Sequence, residues 1–96
     1  MNLPINYNDA TWEERKAARE EYIRLQEGKC WNCKEPLDGL PHEGIRNEHI
    51  NWSYFPGGQE GFLKYSIHLH HDHDTGLTEG AVHAFCNAFM WQYEGR

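Results

Sequence analysis

Cysteine is too scarce in this chain for a disulfide framework: there are three, and an odd number cannot all pair with one another. Nothing near the N-terminus joins basic residues to an apolar run, so no secretory leader is expected. No apolar stretch approaches the ~20 residues needed to cross a bilayer, and no membrane partner is expected. These absences favour a reducing, cytoplasmic setting in which cysteine serves a metal. Basic charge is also short, with nine Lys and Arg against fifteen Asp and Glu and a formal net charge of −6. That argues mildly against nucleic acid, whose binders usually carry a net basic surface. It does not exclude it, because net charge says little about a single face. Internal repeats and low-complexity segments are missing too.

What is present bounds the fold. Ninety-six residues make one domain, near the small end of what folds alone. With 39% hydrophobic residues, four Trp, five Tyr and four Phe, a compact but modest core is available. Chains of this size often add a structural metal. The expected class is α+β. Residues 1–10 read as an irregular lead-in. A helix is expected over about 11–27, because Thr11 and Glu14 have the spacing of a capping box and Gly28 is a natural stop. Ala18, Tyr22 and Leu25 can form its apolar stripe, and its run of charges reads as a solvated face. A segment of about 34–61, punctuated by Pro36, Gly39, Pro41, Gly44 and Pro56-Gly57-Gly58, has no clear periodicity. Alternation of Leu63, Tyr65, Ile67 and Leu69 predicts a strand over 62–70. A turn at Asp74-Thr75-Gly76, a strand near 79–83 and a helix from Cys86 or Asn87 follow.

Two half-sites have metal-ligand spacing. Cys30-x-x-Cys33 lets both sulfurs of one tight turn reach a single tetrahedral ion, and His83-x-x-Cys86 supplies two further ligands. A lone CxxC is weak evidence, since it could equally be a redox pair. Two matched halves predict a Cys3His structural zinc that ties the end of the first helix to the start of the last and supplies folding free energy. Four protein ligands close such a site, so a catalytic ion would have to sit elsewhere.

The densest chemistry lies between those halves. His70, His71, Asp72, His73 and Asp74 place three imidazoles and two carboxylates in five positions. On a strand, 68 and 70 share one face while 69 and 71 share the other, so His70 and His71 can take separate roles. A neutral imidazole is a good general base near neutral pH. The amide oxygen of Asn87 suits a hard cation such as Mg2+. His68 reads as a bystander, and His49 and Asn51 as incidental.

The string His71-Asp72-His73-Asp74-Thr75-Gly76, then Gly80, then His83-x-x-Cys86-Asn87, with Cys30-x-x-Cys33 upstream, resembles the recombination endonuclease VII family. That family belongs to the HNH, or His-Me finger, nucleases. The likeness covers roughly residues 22–33 and 69–91. It implies a small zinc-bound ββα-metal finger over about 62–93, with an N-terminal helix and an irregular insertion, all in one domain of 1–96. It implies that His71 is the general base and that His70 and Asn87 hold the catalytic ion. His73, a second motif histidine, would contact phosphate or assist the metal site, while Asp72 and Thr75 hold the turn. The chain departs from the family pattern where His70 stands for Asp, where His83 stands for a zinc thiol, and in the enlarged 34–61 insertion. A neutral His70 softens the site toward Mn2+ or Ni2+ beside Mg2+.

The function expected on this basis is a metal-dependent DNA endonuclease that nicks or cleaves, leaving 5′ phosphates. Lysines and arginines near the first helix would contact the DNA backbone. The alternatives are a non-catalytic zinc module that binds DNA or protein, and a small nuclease subunit of a larger phage packaging or recombination complex. The family implies a phage or bacterial origin, and so the cytoplasm, that of the host cell if phage-encoded; a monomer or weak dimer is expected.

Overall fold

The computed structural model describes residues 1–95; Arg96, the last residue of the expected domain, lies outside the described residues. The first helix, α1, spans Trp12–Leu25 and starts as the sequence predicts. The Thr11 hydroxyl accepts the Glu14 amide at 3.1 Å, and the Glu14 carboxylate accepts the Thr11 amide at 2.9 Å. The expected stripe needs one correction. Ala18 is buried and Tyr22 half-buried, but Leu25 is 57% exposed. The residue that turns inward is instead Gln26, just past the helix. Its side-chain amide accepts the Ala81 N–H and donates to the Ala81 carbonyl, both at 2.9 Å. It thereby satisfies the Ala81 amide and shares the Ala81 carbonyl with the Trp31 N–H, which donates at 2.9 Å.

The segment 34–61 is more ordered than its composition suggests. It contains α2 (Glu43–Arg46), a 3-10 turn (Trp52–Tyr54) and the start of α3 (Gly58–Phe62). The expected strand over 62–70 is corrected here. Gly57 and Gly58 take φ of +76° and +65°, turning the chain into α3, so Phe62 ends a helix rather than opening a strand. Phe62 packs on Phe55, with ring centroids 4.7 Å apart, in a core shared by Ile50, Trp52 and Ala88. Burial in that aromatic cluster overrides the alternation around it.

The sheet has two antiparallel strands, β1 (Ile67–His71) and β2 (Thr78–His83). Ile67 pairs with His83 and His70 with Gly80, and the register shifts between His70 and His71. Asp72 shapes the connecting turn, its carboxylate accepting the amides of Asp74 and Thr75 at 2.8 and 2.9 Å. Gly76 closes the turn at φ +80°. The lead-in is docked on this turn: Asn6 bridges to Leu77, Tyr7 N–H donates to the Gly76 carbonyl, and Thr78 N–H donates to the Ile5 carbonyl. The last helix, α4 (Ala84–Glu94), follows β2 directly and starts two residues before the expected Cys86. The Ala84 amide reaches the Ser66 carbonyl, so the helix needs no side-chain cap. The main core joins Cys30, Leu37, Ala81, Val82, Cys86 and Met90. Among the described residues no helix is long and apolar enough to cross a membrane.

Candidate metal centre and adjoining cleft

The turn after α1 presents Cys30 and Cys33 from a tight loop. The Lys34 amide donates back to the Cys30 carbonyl at 3.0 Å, and Lys34 itself takes φ +69°. The other half comes from the junction of β2 and α4, which carries His83 and Cys86. The four ligand atoms all lie within 4.8 Å of one another, and the group could hold a metal ion. His83 Nδ1 is 3.5 Å from Cys33 Sγ and 3.7 Å from Cys86 Sγ. These spacings match the ~3.5 Å N···S edge of a tetrahedron with Zn–N of ~2.0 Å and Zn–S of ~2.3 Å. The far nitrogen, His83 Nε2, meets the Pro36 carbonyl at 2.8 Å. That contact fixes the tautomer with Nδ1 facing the thiols, as metal-bound histidines usually require. Cys30 is held well below the ordinary thiol range, first by the Cys86 thiol and then by backbone amides including that of Cys33. Cys86 is pushed up in turn by Cys30 and by burial. A thiolate already favoured inside the core is consistent with structural zinc.

Trp31, between the two knuckle cysteines, lies over β2. A Cβ on Gly80 would fall 2.6 Å from Trp31 Cγ, so only glycine permits this approach. Trp31 in turn covers His70, with ring centroids 5.3 Å apart. His70 is 1% exposed, and its Nε2 lies 3.2 Å from a Glu79 carboxylate oxygen.

The second centre is an open cleft of about 750 Å3 along the free edge of β1, lined in part by His68, His71 and Asn87. The structure does not bring the expected pair, His70 and Asn87, together. The imidazole that meets Asn87 is that of His68, with Nδ1 at 3.1 Å from the amide Nδ2. His70 does not line the cleft and packs against Trp31 and Glu79 instead. Strand alternation puts His68 and His70 on one face, but Gly80, opposite His70, admits Trp31 there. His68, read from the sequence as a bystander, takes the cleft position; Phe62 holds its ring edge-on at 4.8 Å.

His71 also lines the cleft, just past the register shift that follows His70, and is half-buried. Tyr7 stacks on it with centroids 4.0 Å apart and planes within 8°. The Arg15 guanidinium lies 4.1 Å from the Tyr7 ring centroid, and its Nε donates to the Tyr7 carbonyl at 2.9 Å. The exposed His73 approaches His71 edge-on at 5.0 Å. Burial lowers the His71 pKa, and the cationic forms of His73 and His70 and the charge of Arg15 lower it further. Burial likewise lowers that of His68. Both rings are therefore neutral at neutral pH, able to accept a proton or a metal.

Charge in the cleft runs against the whole chain. Among the described residues Arg15, Arg19 and Lys64 line it and no carboxylate does, in a protein of net charge −6. The helix charges read as a merely solvated face thus include two that line the cleft. Sequence reasoning also missed Tyr7, because the lead-in carries no periodicity; its aromatic ring among polar residues was the available signal. His49 and Asn51 serve the insertion: the His49 carbonyl accepts from Gln92 and Tyr93, and Asn51 caps the 3-10 turn. No protein-family model, curated protein or solved structure matches this chain.

Proposed function

We propose that the chain is a metal-dependent DNA endonuclease of the HNH, or His-Me finger, type, related to recombination endonuclease VII, with β1, β2 and α4 as its ββα-metal finger. The observation that carries this reading is the cleft. It gathers a neutral, stacked imidazole, a His–Asn pair and three cations, with no acidic residue among them. A polyanion is the substrate such a lining favours.

His68 and Asn87 would hold the catalytic ion. The donor set fits: an imidazole nitrogen and, once the Asn87 amide is turned over, a carbonyl oxygen. Both ligands are neutral, so water and substrate phosphate must complete the shell, and Mn2+ or Ni2+ is accommodated beside Mg2+. A bound cation there supplies Lewis-acid stabilisation of the charge that builds on the phosphate and the leaving oxygen. His71 accepts the proton of the attacking water at its imidazole, kept neutral by its surroundings. Tyr7 fixes the plane of that ring. Arg15, Arg19 and Lys64 hold the backbone phosphates on either side of the scissile bond. The 3′ oxygen leaves, and the product carries a 5′ phosphate.

Incubation with supercoiled plasmid in Mg2+, Mn2+ or Ni2+ tests the proposal. Wild type nicks or cuts, whereas His71→Ala and Asn87→Ala do not and keep their zinc. Cleavage that survives both substitutions removes the site assignment. Wild type that cuts under no metal gives way to the non-catalytic zinc module, which rests on the Cys3His group alone and leaves the cleft without a use.

A further inference from the structure

Two large aromatic side chains stand out of the same cleft. Trp12, the first residue of α1, is 71% exposed, and Tyr65, just before β1, is 69% exposed. Both belong to the cleft lining, beside Arg15, Arg19 and Lys64. Each carries a lysine: Lys16 Nζ is 5.8 Å from the Trp12 ring and Lys64 Nζ is 5.6 Å from the Tyr65 ring. Neither ring belongs to the buried cores. Single exposed rings are common on a protein surface, but two on one cleft, each beside a lysine, mark a binding surface.

An aromatic face beside a cation is what an unpaired base and its phosphate require. Bases in a duplex are stacked on one another, so their faces are closed to protein side chains. In a single strand each base offers a free face, and stacking on Trp or Tyr contributes regardless of sequence. The electrostatics agree. Three cations in a chain of net charge −6 make a short cationic track, too small for the many phosphate contacts of a duplex binder but matched to a few nucleotides.

We infer that the cleft takes single-stranded DNA, with Trp12 and Tyr65 as stacking platforms on which successive unpaired bases rest while Arg15, Arg19 and Lys64 hold the phosphates. The inference rests on the nuclease reading for its polymer and goes beyond it in substrate class: unpaired strands, flaps or opened segments rather than intact duplex.

Fluorescence anisotropy tests it, using zinc-loaded full-length protein without added catalytic metal and a fluorescein-labelled 12-mer of mixed sequence, alone or annealed to its complement. The single strand binds at least about tenfold more tightly than the duplex. Trp12→Ala and Tyr65→Ala each weaken single-strand binding about tenfold and leave duplex binding unchanged. Both residues are exposed, so these variants keep the wild-type melting curve and zinc content. Equal or tighter duplex binding, or single-strand binding indifferent to both substitutions, overturns the inference. The two readings fail separately. Duplex nicking lost in His71→Ala, without single-strand preference, removes the inference and leaves the nuclease. Single-strand binding that depends on Trp12 and Tyr65, with no cleavage under any metal, removes the nuclease and leaves the stacking groove standing.

Discussion

Cys86 and Asn87 are consecutive residues in the first turn of α4, yet they serve opposite kinds of centre. Cys86 is 0% exposed and faces three other ligand side chains that exclude water. Asn87 opens on a cleft of about 750 Å3 beside His68. Chain geometry separates them: neighbouring helical positions point ~100° apart, so one turn can serve the core and the surface at once. The closed centre gains its strength from soft thiols and burial. The open one sets two neutral side chains, His68 and Asn87, in a solvent-accessible cleft, where the proposed catalysis would take place. A buried centre thus fixes the position of an exposed one through a single peptide bond.

That contrast can be broken most severely at the closed end. Removing zinc with a strong chelator, or Cys86→Ser, should abolish the cooperative fold. Structural zinc supplies about 10–16 kcal/mol in small domains, comparable with total stabilities of about 5–15 kcal/mol. Native circular dichroism in a metal-free Cys86→Ser protein would remove the structural role. At the open end, His71→Ala should lower cleavage by about 10²–10⁴-fold while melting temperature and zinc content stay put. A parallel loss of stability would instead make His71 a packing residue.

The two histidines of one strand face sharpen the comparison further. His68→Ala should raise the catalytic-metal concentration needed for half-maximal cleavage by about 10–100-fold, with stability little changed. His70→Ala should do the reverse, lowering the melting temperature because it empties the space beneath Trp31. Interchanged phenotypes would restore His70 as the ligand. Gly80→Ala tests the same packing from the other strand. Its Cβ would meet Trp31 at 2.6 Å, and the strain should cost about 1–3 kcal/mol. At about 4–8 °C per kcal/mol, a thermal melt resolves this easily.

The smallest effect concerns pH. Burial first, and then His73, His70 and Arg15, favour neutral His71. The folded value lies below the unfolded one near 6.5, so the base stays competent as pH falls through the ordinary imidazole range. The acid limb of cleavage should therefore lie below that range. His73→Ala removes one repelling neighbour, so the limb should move to higher pH; a shift the other way would show that His73 does not act through charge.

The sequence made the closed centre legible because thiol spacing and the tetrahedral preference of zinc are local rules. Cys30, Cys33, His83 and Cys86 could be grouped before any fold was known. Helix α1 was legible for the same reason, through Thr11 and Glu14. The open centre was legible only in part. His71 and Asn87 were identified on resemblance. That Asn87 meets His68 rather than His70 was hidden, because it depends on Trp31 lying over Gly80, a contact between residues far apart in sequence. Tyr7 reaches the cleft only once the lead-in docks on the turn after β1, and Arg15 and Arg19 only once α1 packs against the two strands. Phe62 misled for a related reason, since its alternating neighbours suit a strand while its own burial lies in an aromatic cluster.

Cys33 and His83 are separated by 50 residues along the chain. In polymer terms, the contact between them pins both ends of one long loop. The entropy lost in such a closure grows only as the logarithm of contour length, so even doubling the loop costs about 0.6 kcal/mol. Several anchors lie within it: the Pro36 carbonyl meets His83, Leu37 and Ile45 pack into the core around Cys30 and Cys86, the His49 carbonyl accepts from Gln92 and Tyr93, and Ile50 and Phe55 reach Ala88. Between those anchors only the short, mostly exposed stretch of residues 38–41, ahead of α2, is free of core contacts, and that is where an engineered insertion should leave both centres in place.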